Sequence, residues 1–94
     1  LELLDKSGAW VAIEAPPGIM ICDTGDMMAL LSGGRLPAVT HRVVNPSADD
    51  GGRMSMPFFM HPHPEALLKP FDCDGPGVKA GEFLHQRLVA NNVA

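Results

Sequence analysis

The chain has 94 residues and a formal net charge of -4. A chain of this length forms one small domain with a marginal core, because it buries only about two-thirds of its unfolded surface. The acidic balance, with seven scattered Lys and Arg residues, argues against a nucleic-acid partner. No apolar run is long enough to span a bilayer and no signal-peptide pattern opens the chain, so we expect a cytoplasmic protein with no membrane partner.

The first elements predicted along the chain are a β-hairpin and a buried strand. Apolar residues 1–4 and 9–13 flank a turn signal at residues 5–8 that ends in Gly, which is typical of a hairpin. Residues 16–18 are Pro, Pro and Gly and end the second strand. The apolar run at residues 19–22 then predicts a buried strand. Because the chain begins with Leu in the middle of a predicted strand, we expect it to be a fragment or a processed or trimmed chain.

A short helix is predicted next, over residues 27–31. Asp23, Thr24 and Asp26 offer oxygens of the kind that cap a helix N-terminus. The two glycines at positions 33–34 provide the stop signal at the other end. The prediction is therefore an inserted helix of about two turns between strands.

Two strands are predicted on either side of a loop rich in Ser, Asp and Gly at residues 46–52. Residues 39–45 are rich in β-branched side chains and include His41, a metal-ligand type of residue. Residues 53–60 form the second strand. Because side chains alternate along a strand, Arg53 and Ser55 would face the same side, roughly 7 Å apart at about 3.3 Å of rise per residue. Arg binds a carboxylate bidentately and Ser adds a third hydrogen bond, so the pair predicts a carboxylate clamp.

The last third of the chain is predicted to leave the sheet and end in a helix. The prolines within residues 61–64 remove backbone donors and cannot lie inside a sheet. Residues 65–68 predict one helical turn and residues 71–77 a loop. The final segment, residues 79–90, predicts an amphipathic helix. Its apolar face contains Ala80, Phe83, Leu84 and Leu88. About five short strands with Gly and Pro turns indicate a mainly β fold, either a sandwich or part of a jelly-roll.

Two other pairs of chemistry-bearing residues have plain explanations. His61 and His63 could suggest zinc, but without a third ligand at motif spacing a solvated Pro-rich loop is favoured. Cys22 and Cys73 are expected to be reduced rather than bridged, because nothing in the sequence indicates secretion.

The order of several short motifs resembles the C-terminal part of the Fe(II)/2-oxoglutarate-dependent dioxygenases of the isopenicillin N synthase-like family. The similarity extends from about residue 1 to about residue 64, with a weaker match in the final helix. The motifs are Gly25-Asp26-Met27, Ser32-Gly33-Gly34-Arg35, His41-Arg42-Val43, Arg53-x-Ser55 and Pro57-Phe58-Phe59. The resemblance implies that residues 1–94 form part of a jelly-roll (double-stranded β-helix) domain, with the upstream strands absent.

The same resemblance assigns roles to three residues. It implies that His41 is the distal histidine of a site in which two His and one carboxylate bind Fe(II). It further implies that Arg53 and Ser55 hold a carboxylate: either the far carboxylate of 2-oxoglutarate, the cosubstrate, or a carboxylate of the substrate. The family's His-x-Asp motif, which supplies the other two ligands, does not occur in the sequence. We therefore expect the isolated chain to bind Fe(II) weakly and to be inactive alone.

The implied function is oxidation of an unidentified small organic substrate with O2, giving succinate and CO2. Two alternatives stay open from the residues: a non-catalytic β-domain that packs with a partner chain, and a cupin-like carboxylate binder without redox chemistry. An incomplete jelly-roll leaves strand edges uncovered, so self-association is also expected.

Overall fold

Two small antiparallel sheets and two helices make up the regular structure of the chain. The computed structural model describes residues 1–45 and 51–93. Its elements are β1 (Glu2–Leu4), β2 (Trp10–Ala12), α1 (Asp26–Leu31), β3 (His41–Arg42), β4 (Leu67–Leu68), β5 (Val78–Lys79) and α2 (Ala80–Ala90). The first sheet has the order β2-β1-β3, and β4 pairs with β5 in the second. Neither α1 nor α2 is long and apolar enough to cross a bilayer.

The predicted hairpin is confirmed, and its turn is organised by Asp5. One carboxylate oxygen of Asp5 accepts hydrogen bonds from the Ser7 hydroxyl at 2.6 Å and from the backbone N–H groups of Ser7 and Ala9 at 2.8 and 2.9 Å. Gly8 adopts a φ of 87°, which the turn requires and which favours glycine. The Ser7 hydroxyl, followed by the N–H of Ala9, lowers the pKa of the Asp5 carboxyl below its ordinary value of 3.8.

Arg42 joins all three strands of the first sheet. Glu2 of β1 lies opposite Arg42 of β3, and the Arg42 Nε donates to Glu2 Oε1 at 2.7 Å. The guanidinium carbon of Arg42 also lies 4.1 Å from the centroid of the Trp10 ring on β2. One side chain therefore contributes an ion pair and a cation–π contact across the sheet.

The prediction for α1 is confirmed, but the prediction for its N-terminal cap is wrong. The N-cap residue is Gly25, and no side chain forms a cap hydrogen bond there. The hydroxyl of Thr24 donates instead to the carbonyl oxygen of Pro37 at 2.9 Å. The glycine pair ends the helix as expected, since Gly33 and Gly34 have φ values of 62° and 85°.

The tightest packing lies where β4, β5 and the start of α2 meet. Leu68 and Ala80 are each only 2% exposed, and the N–H of Ala80 donates to the carbonyl of Ala66 at 2.8 Å. A Cβ at Gly77 would lie 2.9 Å from the carbonyl oxygen of Leu68, so this position has no room for a side chain. The helical turn predicted for residues 65–68 is wrong, because its second half pairs as β4.

The predicted C-terminal helix is confirmed as α2, which begins one residue later than expected. Its predicted apolar face is the more buried one, with Ala80 buried and Phe83, Leu84 and Leu88 half-buried. Three polar contacts connect α1 and the turn after it with this C-terminal part. They are Arg87 Nε to Asp26 Oδ2 at 3.2 Å, Arg35 Nη2 to Asp72 Oδ2 at 3.2 Å, and Phe71 N–H to Leu31 O at 3.1 Å.

Several predicted strands are absent from the part of the chain that the structure describes. Residues 19–22 and 53–60 are not in strands, and of residues 39–45 only the two in β3 are. The reason is the lack of a partner: a strand needs a neighbouring backbone and an apolar surface, yet Met20, Met54 and Phe58 are 87%, 87% and 88% exposed. The prediction of a mainly β fold is therefore confirmed only in part: the described residues form two small sheets, but not the longer strands that the sequence predicts. Most of the predicted loop at 46–52 lies outside the described residues.

Replacing Asp5 by Ala should lower the thermal unfolding midpoint, because the turn loses its shared acceptor. The pKa of this carboxyl is lowered by folding, so its contribution is complete above about pH 4 and is lost as the pH falls through the lower folded-state pKa. Circular dichroism melts at pH 6 and pH 2 would measure this. The difference between Asp5→Ala and wild type should shrink at pH 2; an equal difference at both pH values would contradict the assignment.

Replacing Arg42 by Met should cost about 1 to 2 kcal/mol of unfolding free energy, because both the ion pair and the cation–π contact are lost. The matched control is Arg35→Met, which removes an ion pair whose side chains are 77% and 68% exposed and should cost less than about 0.5 kcal/mol. Urea unfolding followed by circular dichroism gives both values. Equal losses in the two variants would show that the contact with Trp10 contributes nothing.

Candidate functional site

His41 is the best-defined candidate ligand in the structure. It is the first residue of β3 and lies opposite Leu3 of β1. Its Nδ1 lies 3.0 Å from the carbonyl oxygen of Val39. A carbonyl oxygen can only accept a hydrogen bond, so this contact favours the tautomer that carries its proton on Nδ1. In the neutral ring the lone pair is then on Nε2, the nitrogen that is left to bind a metal.

A carboxylate lies beside the same ring nitrogen. Asp23 Oδ2 is 3.5 Å from His41 Nδ1, and the two side chains are 45% and 53% exposed. Sequence reasoning took Asp23 for a helix-capping residue and missed this contact. No local pattern could have revealed it, because the two residues are distant in the chain and meet only through the fold.

Arg53 and Ser55, the predicted carboxylate clamp, lie in an exposed segment without strand pairing. The strand predicted for residues 53–60 is therefore absent from the described structure, in which β3 pairs with β1 only. The alternation that would put both side chains on one side requires a strand, so the clamp stays a prediction. Within residues 1–45 and 51–93, Arg53 has no carboxylate partner.

The other residues considered as metal ligands or disulfide partners are His61, His63, Cys22 and Cys73. The ring of His61 stacks on Phe59 with the centroids 6.3 Å apart and the planes 4° from parallel. The Nδ1 of His63 accepts the backbone N–H of Glu65 at 3.2 Å. Cys22 and Cys73 are both free and exposed, so they are not bridged, as predicted.

Among the described residues, His41 has the surroundings expected of one ligand of an iron site. A neutral imidazole with its other nitrogen bonded to an acceptor is the usual form of a metal-binding histidine. No three His, Cys, Asp or Glu residues in the described part of the chain lie together as a metal-binding group. His41 therefore fits Fe(II) as a single ligand, and the described residues do not form a complete triad.

Comparison with known families agrees with the resemblance found in the motifs. The model of the 2OG-Fe(II) oxygenase superfamily matches residues 1–62, about two-thirds of the chain. The chain belongs to this superfamily, whose members are 2-oxoglutarate-dependent dioxygenases. The match includes the first sheet, α1, His41 and the Arg53-x-Ser55 motif.

Curated relatives include several plant hydroxylases. A homoarginine-6-hydroxylase from Arabidopsis thaliana is 32% identical over 92 residues, which cover 95% of this chain and 27% of the relative. A homoarginine-6-hydroxylase from Oryza sativa subsp. japonica is 35% identical over 102 aligned residues, covering 99% and 30%. A bi-functional coumaroyl CoA and feruloyl CoA ortho-hydroxylase from Ruta graveolens is 36% identical over 70 residues, covering 74% and 18%. The chain thus spans 18% to 30% of the length of these relatives. No solved structure matches it.

Proposed function

We propose that this chain is part of a 2-oxoglutarate-dependent dioxygenase and supplies one of its iron ligands. The observation that carries the proposal is the placement of the His41 ring. Its Nδ1 faces the carbonyl oxygen of Val39 at 3.0 Å, which leaves Nε2 for Fe(II). This histidine lies within the region that the superfamily model matches.

The proposed reaction is hydroxylation of a small organic substrate. When bound, Fe(II) and 2-oxoglutarate would supply the oxidation: one atom of O2 enters a C–H bond of the substrate, and the other enters the succinate that forms with CO2 from 2-oxoglutarate. The names of the three relatives above all describe hydroxylases, which supports this reaction over desaturation or ring closure.

Three residues of this chain would act in binding and orientation. His41 would give the lone pair of Nε2 to the metal. Arg53 would hold the far carboxylate of 2-oxoglutarate through its planar donors, and Ser55 would add a hydrogen bond. Support for the clamp comes from the order of the motifs and from the position of both residues inside the family match. The second His and the carboxylate ligand would come from outside residues 1–94, because the sequence has no His-x-Asp.

The chain is proposed to be the C-terminal portion of a jelly-roll domain. Its apolar segment at residues 54–60 supports this, because Met54, Met56 and Phe58 are each at least 86% exposed. Pairing with a strand from the rest of such a domain would cover this segment and turn residues 53–60 into a strand. The same exposed segment favours a second candidate, a non-catalytic β-domain that packs with a partner chain.

Replacing His41 by Ala should abolish Fe(II) binding in the protein that carries this chain. Wild-type protein titrated anaerobically with Fe(II) and 2-oxoglutarate should develop the visible charge-transfer band of the complex, and His41→Ala should not. The matched control is His85→Ala, which removes an exposed histidine of α2 and should leave the band intact. An unchanged metal stoichiometry in His41→Ala would contradict the ligand role, and a wild-type protein without the band would favour the non-catalytic β-domain.

Replacing Arg53 by Ala should weaken 2-oxoglutarate binding by roughly 10- to 100-fold, because a bidentate charge-assisted contact is lost. The affinity for Fe(II) alone should stay at the wild-type value. Anaerobic calorimetry would measure the two affinities separately, with Arg35→Ala as the control for removing an exposed cation. An equal loss of both affinities in Arg53→Ala, or no loss of either, would count against the clamp.

A further inference from the structure

Asp23 is held beside His41 by a defined set of contacts that no family motif in the sequence includes. The backbone N–H of Val39 donates to the carbonyl oxygen of Thr24 at 3.1 Å, and the Thr24 hydroxyl donates to the carbonyl oxygen of Pro37 at 2.9 Å. Thr24 thus ties its own segment to the residues that lead into β3. These two bonds bring the side chain of the preceding residue, Asp23, to 3.5 Å from His41 Nδ1.

Two oxygens therefore lie next to Nδ1 of the His41 imidazole: a carbonyl oxygen at hydrogen-bond distance and a carboxylate oxygen at ion-pair distance. The carbonyl oxygen of Val39 lies 3.0 Å from Nδ1, and Oδ2 of Asp23 lies 3.5 Å from the same nitrogen. Both can only accept when Asp23 is ionised, so together they favour the proton on Nδ1 and the lone pair on Nε2.

We propose that Asp23 is a positioning residue that fixes the tautomer and orientation of His41 for metal binding. The inference rests on the proposed function, in which His41 binds Fe(II). Asp23 does not bind the metal in this proposal: it acts only through the imidazole. Residues in this outer position typically change metal affinity by about 10- to 100-fold when they are removed.

The test compares two substitutions of Asp23 in the protein that carries this chain. Asp23→Leu keeps a side chain of similar size but removes the acceptor, whereas Asp23→Asn keeps an acceptor oxygen and removes the charge. The matched control is Asp72→Leu, which removes an exposed carboxylate that pairs with Arg35 at 3.2 Å. The first readout needs no metal: nitrogen NMR of the His41 ring reports which nitrogen carries the proton. The second is the affinity for Fe(II) measured anaerobically by calorimetry.

Asp23→Leu should lower the Nδ1-protonated fraction of the His41 ring and weaken Fe(II) binding by about 10-fold. Asp23→Asn should restore most of both, and Asp72→Leu should match wild type in both. An Asp23→Leu variant with wild-type tautomer and wild-type affinity would overturn the inference. So would an Asp23→Asn variant as impaired as Asp23→Leu, because charge rather than positioning would then be responsible.

The failure of this inference is distinguishable from the failure of the proposed function. If His41→Ala abolishes Fe(II) binding while Asp23→Leu changes neither readout, the ligand role of His41 stands and the role of Asp23 falls. If His41→Ala binds Fe(II) as well as wild type does, the proposed function fails and the positioning role fails with it.

Discussion

The position of His41 depends on the hydrogen bonding of β1, which pairs along both of its edges. On one edge Leu3 lies opposite Val11 of β2, and on the other it lies opposite His41 of β3. A shift of one residue in either register would move every side chain of that strand to the opposite face. The ion pair between Glu2 and Arg42, at 2.7 Å, opposes such a shift because it joins the neighbouring residue pair of the same register. A central strand of three residues thus determines which face of the sheet the candidate ligand occupies.

The elements that sequence reasoning located correctly are those whose cause is local. The first hairpin follows from turn chemistry within residues 5–8, and α2 follows from its own apolar periodicity. The strands predicted at residues 19–22 and 53–60 rest on composition, and composition cannot supply a partner strand. Their exposed apolar side chains agree with a radius of gyration of 16.2 Å, against about 12 Å for a compact chain of this length. Strands of two residues, such as β4, have too little pattern to be recognised before their partners are known.

In the candidate site, too, the sequence predicts some residues and cannot reveal a contact that only the fold creates. His41, Arg53 and Ser55 were identified because a family resemblance connects them, whereas their spacing alone supports only a carboxylate clamp. The sequence predicts a helix-capping role for Asp23, since Asp before a short helix is typical of that role. What the sequence could not show is that Thr24 pairs with Val39 and so directs the neighbouring carboxylate towards the imidazole. Contacts that act on a ligand from outside the metal site are non-local, and a motif therefore does not include them.

The contact between Arg42 and Trp10 also allows the first sheet to be followed by tryptophan fluorescence. The sequence contains one tryptophan and no tyrosine, so ultraviolet emission from the protein comes from a single indole. That indole lies 4.1 Å under the guanidinium of the residue next to His41. A displacement of β3 would change the charge above the ring, and with it the intensity and wavelength of emission. The protein thus carries an intrinsic fluorophore in contact with the residue that follows its candidate iron ligand.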